Sequence, residues 1–148
     1  MFFAKRWFDR VGDGLDLFLE KHIMHKGSCL CGKITFEIAG DLGENDACHC
    51  VNCRKWSGHF LVSANVPRSA LNVSGAEYIT WYQSSLKVRR GFCSVCGSSL
   101  FFDPLDTEKH NWTGIALGAL DTPTNTSLEK HIFVAEKGCN PPIYNRAF

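Results

Sequence analysis

Apolar and polar side chains alternate along most of the chain after residue 32, which is typical of β-strands with one buried face. Ile34, Phe36 and Ile38 alternate with Thr35 and Glu37 and give the clearest case. Further strands are predicted at residues 60–66, 78–83, 87–92, 100–102, 112–117 and 132–134. Turn-forming residues separate them, and a short helical turn is predicted at residues 51–57. The pattern predicts an all-β, mainly antiparallel domain.

The first 25 residues follow a helical period instead. Apolar side chains recur at Phe3, Trp7, Val11, Leu15, Phe18, Leu19 and Ile23, with Asp9, Asp13, Asp16 and Glu20 on the other face. This predicts an amphipathic helical extension over residues 1–25 that packs on the domain or on a second copy, through which a homo-oligomer could form. Its acidic face is unlike a targeting presequence, a secretory leader or a membrane-surface helix, so we expect a cytoplasmic protein.

Seven of the eight cysteines fall into three tight groups. The groups are Cys29-Leu30-Cys31, Cys48-His49-Cys50-Val51-Asn52-Cys53 and Cys93-Ser94-Val95-Cys96. Cysteines two apart in an extended chain point to the same face, and Gly32 and Gly97 allow the positive φ that curls a backbone over a metal-bound sulfur. The spacing predicts zinc ligands, about two ions per chain.

The spacing does not decide by itself which groups share an ion. We favour one four-cysteine site because it leaves a local triplet that can hold a second ion with an open coordination position. The four-cysteine site is then Cys29, Cys31, Cys93 and Cys96, and the triplet is Cys48, Cys50 and Cys53. Cys48 and Cys50 could instead replace either pair. Disulfides are a further alternative, although cysteines two residues apart do not readily bridge.

Length and charge narrow the classes of function. A chain of 148 residues can form one domain with its own core. The formal charge is +1, and seven thiolates with two zinc ions would bring it to about −2. This charge argues against nucleic-acid binding, which needs a basic surface. No apolar run is long enough to span a membrane, so no membrane partner is expected.

Three cysteine motifs in this order resemble the glutathione-dependent formaldehyde-activating enzyme family, also called the centromere-protein-V-type zinc domain. The segments that carry the resemblance are residues 27–32, 48–58 and 90–100, supported by residues 118–121 and 131–134. The resemblance covers residues 26–137, whereas residues 138–148 differ from the usual ending. The chain is therefore predicted to contain a helical extension (1–25), a zinc-binding β domain (26–137) and an atypical tail (138–148).

The resemblance implies a zinc-stabilised β-tent fold and divides the cysteines by role. It implies a structural zinc at Cys29, Cys31, Cys93 and Cys96, and a second, more weakly held zinc at the catalytic Cys48, Cys50 and Cys53. It further implies a carbon-sulfur lyase-type enzyme that condenses formaldehyde, or another small aldehyde, with glutathione or a related thiol. The product of the family's reaction is S-hydroxymethylglutathione.

Glutathione carries two carboxylates, so basic residues beside the motifs are candidate anchors. Arg54, Lys55 and Arg90 fit this role, with Arg89 next to them; the alternative is a solvated rim of charges. His49 and His59 are weaker candidates for a ligand or proton shuttle. Cys139, outside the three groups, could be a fourth ligand or a spare thiol, and its spacing favours the spare thiol.

Two other functions stay open from the sequence. A non-catalytic zinc module could bind a protein or nucleic acid, and a labile zinc-thiolate cluster could serve as a metal reservoir or redox sensor. The open triplet favours the enzyme.

Overall fold

The computed structural model describes residues 23–121 and 123–138. These residues form ten strands and one α-helix. The elements are β1 (Met24–Ser28), β2 (Thr35–Ala39), β3 (Asn45–Cys48), α1 (Val51–Ser57), β4 (Leu61–Pro67), β5 (Leu71–Ser74), β6 (Ile79–Gln83), β7 (Val88–Cys93), β8 (Ser99–Pro104), β9 (Trp112–Ala116) and β10 (Lys130–Ile132). Short 3₁₀ turns follow β4, β5, β9 and β10. None of the helices in this part of the chain has the length and apolarity that crossing a bilayer would require.

The strands form two sheets. The smaller has the order β1-β2-β5 and the larger β10-β3-β4-β9-β8-β7-β6. Every strand pair is antiparallel except β10 with β3, which is parallel. The predicted all-β, mainly antiparallel fold is confirmed, while its stabilisation by zinc and the tent form stay predictions.

The apolar core lies where the two sheets meet. Ile34, Phe36 and Ile38, from the strongly alternating segment, are buried on the side of the small sheet. Leu100 and Ile115 meet them from β8 and β9, and all five side chains are at most 2% exposed. The alternation in the sequence thus marks the face that the small sheet buries.

Helix α1 occupies the range that the sequence predicts. Its first turn is capped by Cys50, whose sulfur accepts a hydrogen bond from the backbone N–H of Cys53 at 3.4 Å. It ends at Gly58, which has a φ of +83° and donates its N–H to the carbonyl of Arg54. A side chain at position 58 would be strained in this left-handed conformation.

Several strand predictions need correction. The predicted strand 132–134 is displaced, because β10 ends at Ile132 and Phe133 has a φ of +55°, which an extended strand cannot accommodate. The sequence did not predict β3 or β5. It also missed β1, whose start at Met24 makes Met24 and His25 part of a strand rather than the end of a helix.

Residues 1–22 of the predicted helix, and the tail after Gly138 including Cys139, lie outside the described residues.

Candidate functional site

The four-cysteine group, Cys29, Cys31, Cys93 and Cys96, joins the two sheets. Cys29 and Cys31 lie in the turn between β1 and β2, Cys93 ends β7, and Cys96 lies in the turn before β8. The four sulfurs are all within 4.8 Å of one another, with 3.5 Å from Cys29 to Cys31 and 3.8 Å from Cys31 to Cys93. Four sulfurs bound tetrahedrally to zinc at about 2.3 Å lie about 3.8 Å apart, so this group fits a zinc ion.

Both turns of this group have the glycine geometry that the spacing predicts. Gly32 and Gly97 have φ values of +72° and +76°, and their N–H groups donate to the carbonyls of Cys29 and Cys93. Ser98 links the two turns, because its hydroxyl accepts the N–H of Leu30 at 2.9 Å and lies 3.3 Å from Sγ of Cys96. The Ser98 hydrogen bond is the main reason that the pKa of Cys96 is lowered to about 5, which favours the thiolate that binds a metal.

The triplet lies where β3 passes into α1. Cys48 ends β3, Cys50 caps the helix and Cys53 lies in its first turn, with the three sulfurs within 4.8 Å of one another. The hydrogen bond from Cys48 is the main cause that lowers the pKa of Cys53 to about 5, followed by the hydrogen bond and charge of Arg90. Cys48 donates this hydrogen bond and needs its proton to do so, which raises the pKa of Cys48. The structure therefore brings the cysteines together in the two groups favoured from the sequence.

Arg90, on β7, lies against the cysteine triplet. Its side chain is 3% exposed, and its Nη2 donates to Sγ of Cys53 at 3.4 Å. Its Nε donates to Ser84 Oγ at 3.1 Å, and its guanidinium lies 5.1 Å from the ring centroid of Phe102. Its Nη1 is buried without a hydrogen-bond partner among the described residues. Arg90 thus supplies a buried positive charge and one unused donor beside the thiols.

A cavity of about 280 Å³ opens onto the triplet. Its polar lining, besides the triplet and Arg90, is Asp46, Asn52, Ser63, Asn65, Ser84 and Ser85. Its apolar lining is Leu61, Val88, Phe102, Trp112, Ile132 and Phe133. Sequence reasoning did not connect these residues to the triplet, because strand pairing over long separations brings them there. A cavity of this size, with apolar walls and polar groups around the thiols, suits a small ligand.

The other sequence-predicted candidates lie elsewhere. Arg54 and Lys55 line a second cavity together with His49 and His59, and Arg89 binds Asp103 Oδ2 at 2.6 Å. The structure thus places only Arg90, among the predicted anchors, in the cavity of the triplet.

His49 faces away from the three sulfurs, as expected for a residue between two ligands. Its Nε2 lies 2.8 Å from Nδ1 of His131, and its ring packs 5.1 Å from that of Phe60. Burial is the main cause that lowers the pKa of His49, and the charge of His131 adds to it. Neither His49 nor His59 belongs to a metal-binding group in the described part of the chain.

Comparison with known proteins gives a family match. The model of the glutathione-dependent formaldehyde-activating enzyme family matches residues 24–136, more than half of the chain. An uncharacterized lyase of Schizosaccharomyces pombe is 33% identical over 79 residues, which cover 53% of this chain and 56% of the relative. Proteins of Aspergillus flavus and Aspergillus oryzae that carry the family's name are 35% identical over 77 residues, 49% of this chain and 40% of each relative. The chain thus spans about half the length of the curated relatives that it matches.

A solved structure shares the fold. The crystal structure of a Rhodobacter sphaeroides protein aligns with a TM-score of 0.57 and 24% identity, covering 72% of this chain and 98% of the other. At this identity the likeness supports the fold alone.

Proposed function

Because the chain belongs to the glutathione-dependent formaldehyde-activating enzyme family, we propose that it is a zinc-dependent carbon-sulfur lyase-type enzyme. Its substrates are formaldehyde, or another small aldehyde, and the thiol of glutathione or a related compound. In the proposed direction a carbon–sulfur bond forms, the carbonyl π bond breaks, and the thiol proton ends on the new hydroxyl. The product from glutathione and formaldehyde is S-hydroxymethylglutathione, and no other reactant is needed.

The observation that carries the proposal is the triplet of Cys48, Cys50 and Cys53 facing a cavity. Three thiolates are one ligand short of the four that zinc usually takes, so a substrate group can complete the shell. Zinc bound there would supply a Lewis acid and hold a substrate sulfur as its thiolate. We assign a structural ion to the other group, whose four sulfurs leave no open position.

Arg90 is the residue best placed to act with the triplet. Its buried guanidinium favours negatively charged sulfur nearby, and the free Nη1 can donate to a carboxylate or carbonyl oxygen in the cavity. Bringing the thiol and aldehyde together in one small site also raises the rate through proximity. Arg54 and Lys55 can reach a substrate carboxylate only where the thiol extends past this cavity, because they line the next one.

Exchange NMR on glutathione and formaldehyde, with and without the zinc-loaded protein, tests this function. We expect the exchange rate to exceed the spontaneous rate, and to return to it in Cys48→Ser, Cys50→Ser and Cys53→Ser. Cys139→Ser, which changes the cysteine outside both predicted groups, is the matched control and should keep the rate.

Two negative outcomes have different meanings. A zinc-loaded protein that binds glutathione without accelerating exchange would support a non-catalytic binding module. A protein that does not bind glutathione would contradict the proposed thiol and point to another substrate class.

A further inference from the structure

Helix α1 contributes to two cavities with different side chains. Cys50, Asn52 and Cys53 face the cavity of the triplet. Arg54 and Lys55 line the second cavity, of about 250 Å³, which His49, Gly58, His59 and Gly138 complete. The described residues that line the second cavity include no carboxylate and no cysteine, so their chemistry differs from that of the triplet.

The two cations of this second cavity, Arg54 and Lys55, meet no counter-ion within residues 23–121 and 123–138. Arg54 Nε is also buried without a hydrogen-bond partner in the described part of the chain. The backbone of Gly138 packs against the guanidinium so closely that a Cβ at this position would collide with it. A partly buried guanidinium with an unused donor is costly unless an acceptor binds.

In the described part of the chain, neither the carboxylate of Glu136 nor the end of the helix neutralises this charge. Glu136, two residues before Gly138, directs its carboxylate to the backbone N–H of Val51 at 2.9 Å, at the other end of α1. The end of α1 at Gly58 presents carbonyl groups, so the helix dipole does not itself attract an anion here. An anion would therefore be bound by side chains: the planar guanidinium of Arg54 and the mobile ammonium of Lys55.

We propose that the cavity lined by Arg54 and Lys55 binds a small oxyanion, a carboxylate or phosphate group, at a site separate from the cysteine triplet. Two sources can supply such a group: free phosphate, or the carboxylate of a larger ligand that reaches across from the triplet. Arg54 directly follows Cys53 in α1, so an occupied oxyanion site would also fix the position of the helix that carries Cys53 and is capped by Cys50.

Titration of the full-length, zinc-loaded protein with inorganic phosphate, followed by the amide signals of Gly58, His59 and Gly138, tests the site. Chloride keeps the ionic strength constant, because general screening also shifts exposed amides. We expect saturable shifts, with binding about tenfold weaker in Arg54→Gln, which loses a charge-assisted hydrogen bond, and several-fold weaker in Lys55→Gln. Lys33→Gln is the control, since Lys33 lies over the ring of Tyr78 and outside this cavity.

Shifts that grow linearly with phosphate, or equal affinity in Arg54→Gln, Lys55→Gln and the unchanged protein, would overturn the proposal. A second titration with glutathione present identifies the source of the oxyanion. Displacement of phosphate by glutathione assigns the site to a substrate carboxylate, and unchanged phosphate binding assigns it to free phosphate. Neither titration needs aldehyde or turnover, so failure here is distinct from failure of the proposed enzyme activity.

Discussion

Arg90 Nη2 donates a hydrogen bond to Sγ of Cys53 across 3.4 Å, although the two residues are 37 positions apart in the chain. The arginine has no carboxylate partner among the described residues, so the thiols are the negative groups that can balance its buried charge. A divalent zinc ion with three thiolates carries one net negative charge, which the guanidinium offsets. This pairing joins β7 to the first turn of α1 and places Arg90 against the proposed metal site.

Replacing Arg90 by methionine is expected to weaken zinc binding at the triplet about 10- to 100-fold, the usual effect of losing a partner that hydrogen-bonds a ligand. The physical reason is the loss of both the positive charge and the N–H donor beside Cys53. Competition with a chelator of known affinity measures it. Arg90→Lys, which keeps the charge, should lie between methionine and the unchanged protein.

Arg89→Met is the matched control for Arg90. It makes the same change on the neighbouring position of β7, but Arg89 binds Asp103 and stacks on Trp81, away from the triplet. Equal loss of zinc affinity in the two methionine variants would show that Arg90 acts through general stability and not through the sulfur.

Zinc removal should proceed in two steps. The group of four sulfurs closes a full shell, whereas the triplet has three protein ligands, so the triplet's ion should leave first. We expect about two zinc ions per chain before mild chelation and about one after it, by elemental analysis. A single ion before chelation, or simultaneous loss of both, would contradict two sites of unequal affinity.

The sequence predicts the metal groups better than their surroundings. Candidate metal ligands with short spacing, such as Cys48, Cys50 and Cys53, are brought together by one turn of backbone and can be recognised locally. Helix α1 was likewise predictable, because Gly58 ends it through its own left-handed conformation. Arg90 was predicted as a carboxylate anchor, but its hydrogen bond to Cys53 depends on how the strands are arranged and is not visible in the sequence.

The strands that the sequence does not predict are those whose extended conformation depends on pairing with neighbouring strands. β3 contains Asn45, Asp46, Ala47 and Cys48, without a β-branched or aromatic residue, and is held between β4 and β10. Closeness in sequence places Arg54 and Lys55 beside the triplet, yet successive helical residues face different sides. Proximity along a helix therefore does not place two residues in one cavity.

Loss of the Asp103 carboxylate is expected to reduce the free energy of unfolding by about 2–3 kcal/mol, because it removes a buried acceptor that Arg68 and Arg89 share. Asp103 is 3% exposed and accepts hydrogen bonds from Arg68, from Arg89 at 2.6 Å and from Thr113 at 3.3 Å. Denaturant unfolding of Asp103→Ala measures the effect. Glu37→Ala, which breaks the exposed pair with Lys26, should cost less than about 1 kcal/mol.

The two cysteine groups should differ most clearly in what they stabilise. The four-cysteine group brings the β1–β2 turn of the small sheet to the β7–β8 turn of the large one, so a metal bound there would close a connection between distant parts of the chain. Cys96→Ala should therefore remove part of the folding free energy and lower Tm by roughly 10–20 °C.

Cys50→Ala should lower Tm by only a few degrees, roughly the loss of a helix cap of about 1 kcal/mol, because the triplet spans six residues and joins only β3 to α1. Thermal melts of both zinc-loaded variants, with zinc content measured on the same samples, make the comparison. Cys50→Ala should retain the ion of the four-cysteine group and lose exchange activity, whereas Cys96→Ala should lose stability first. Equal loss of Tm in the two variants would mean that both groups hold the fold together, and the division into a structural and a catalytic site would be wrong.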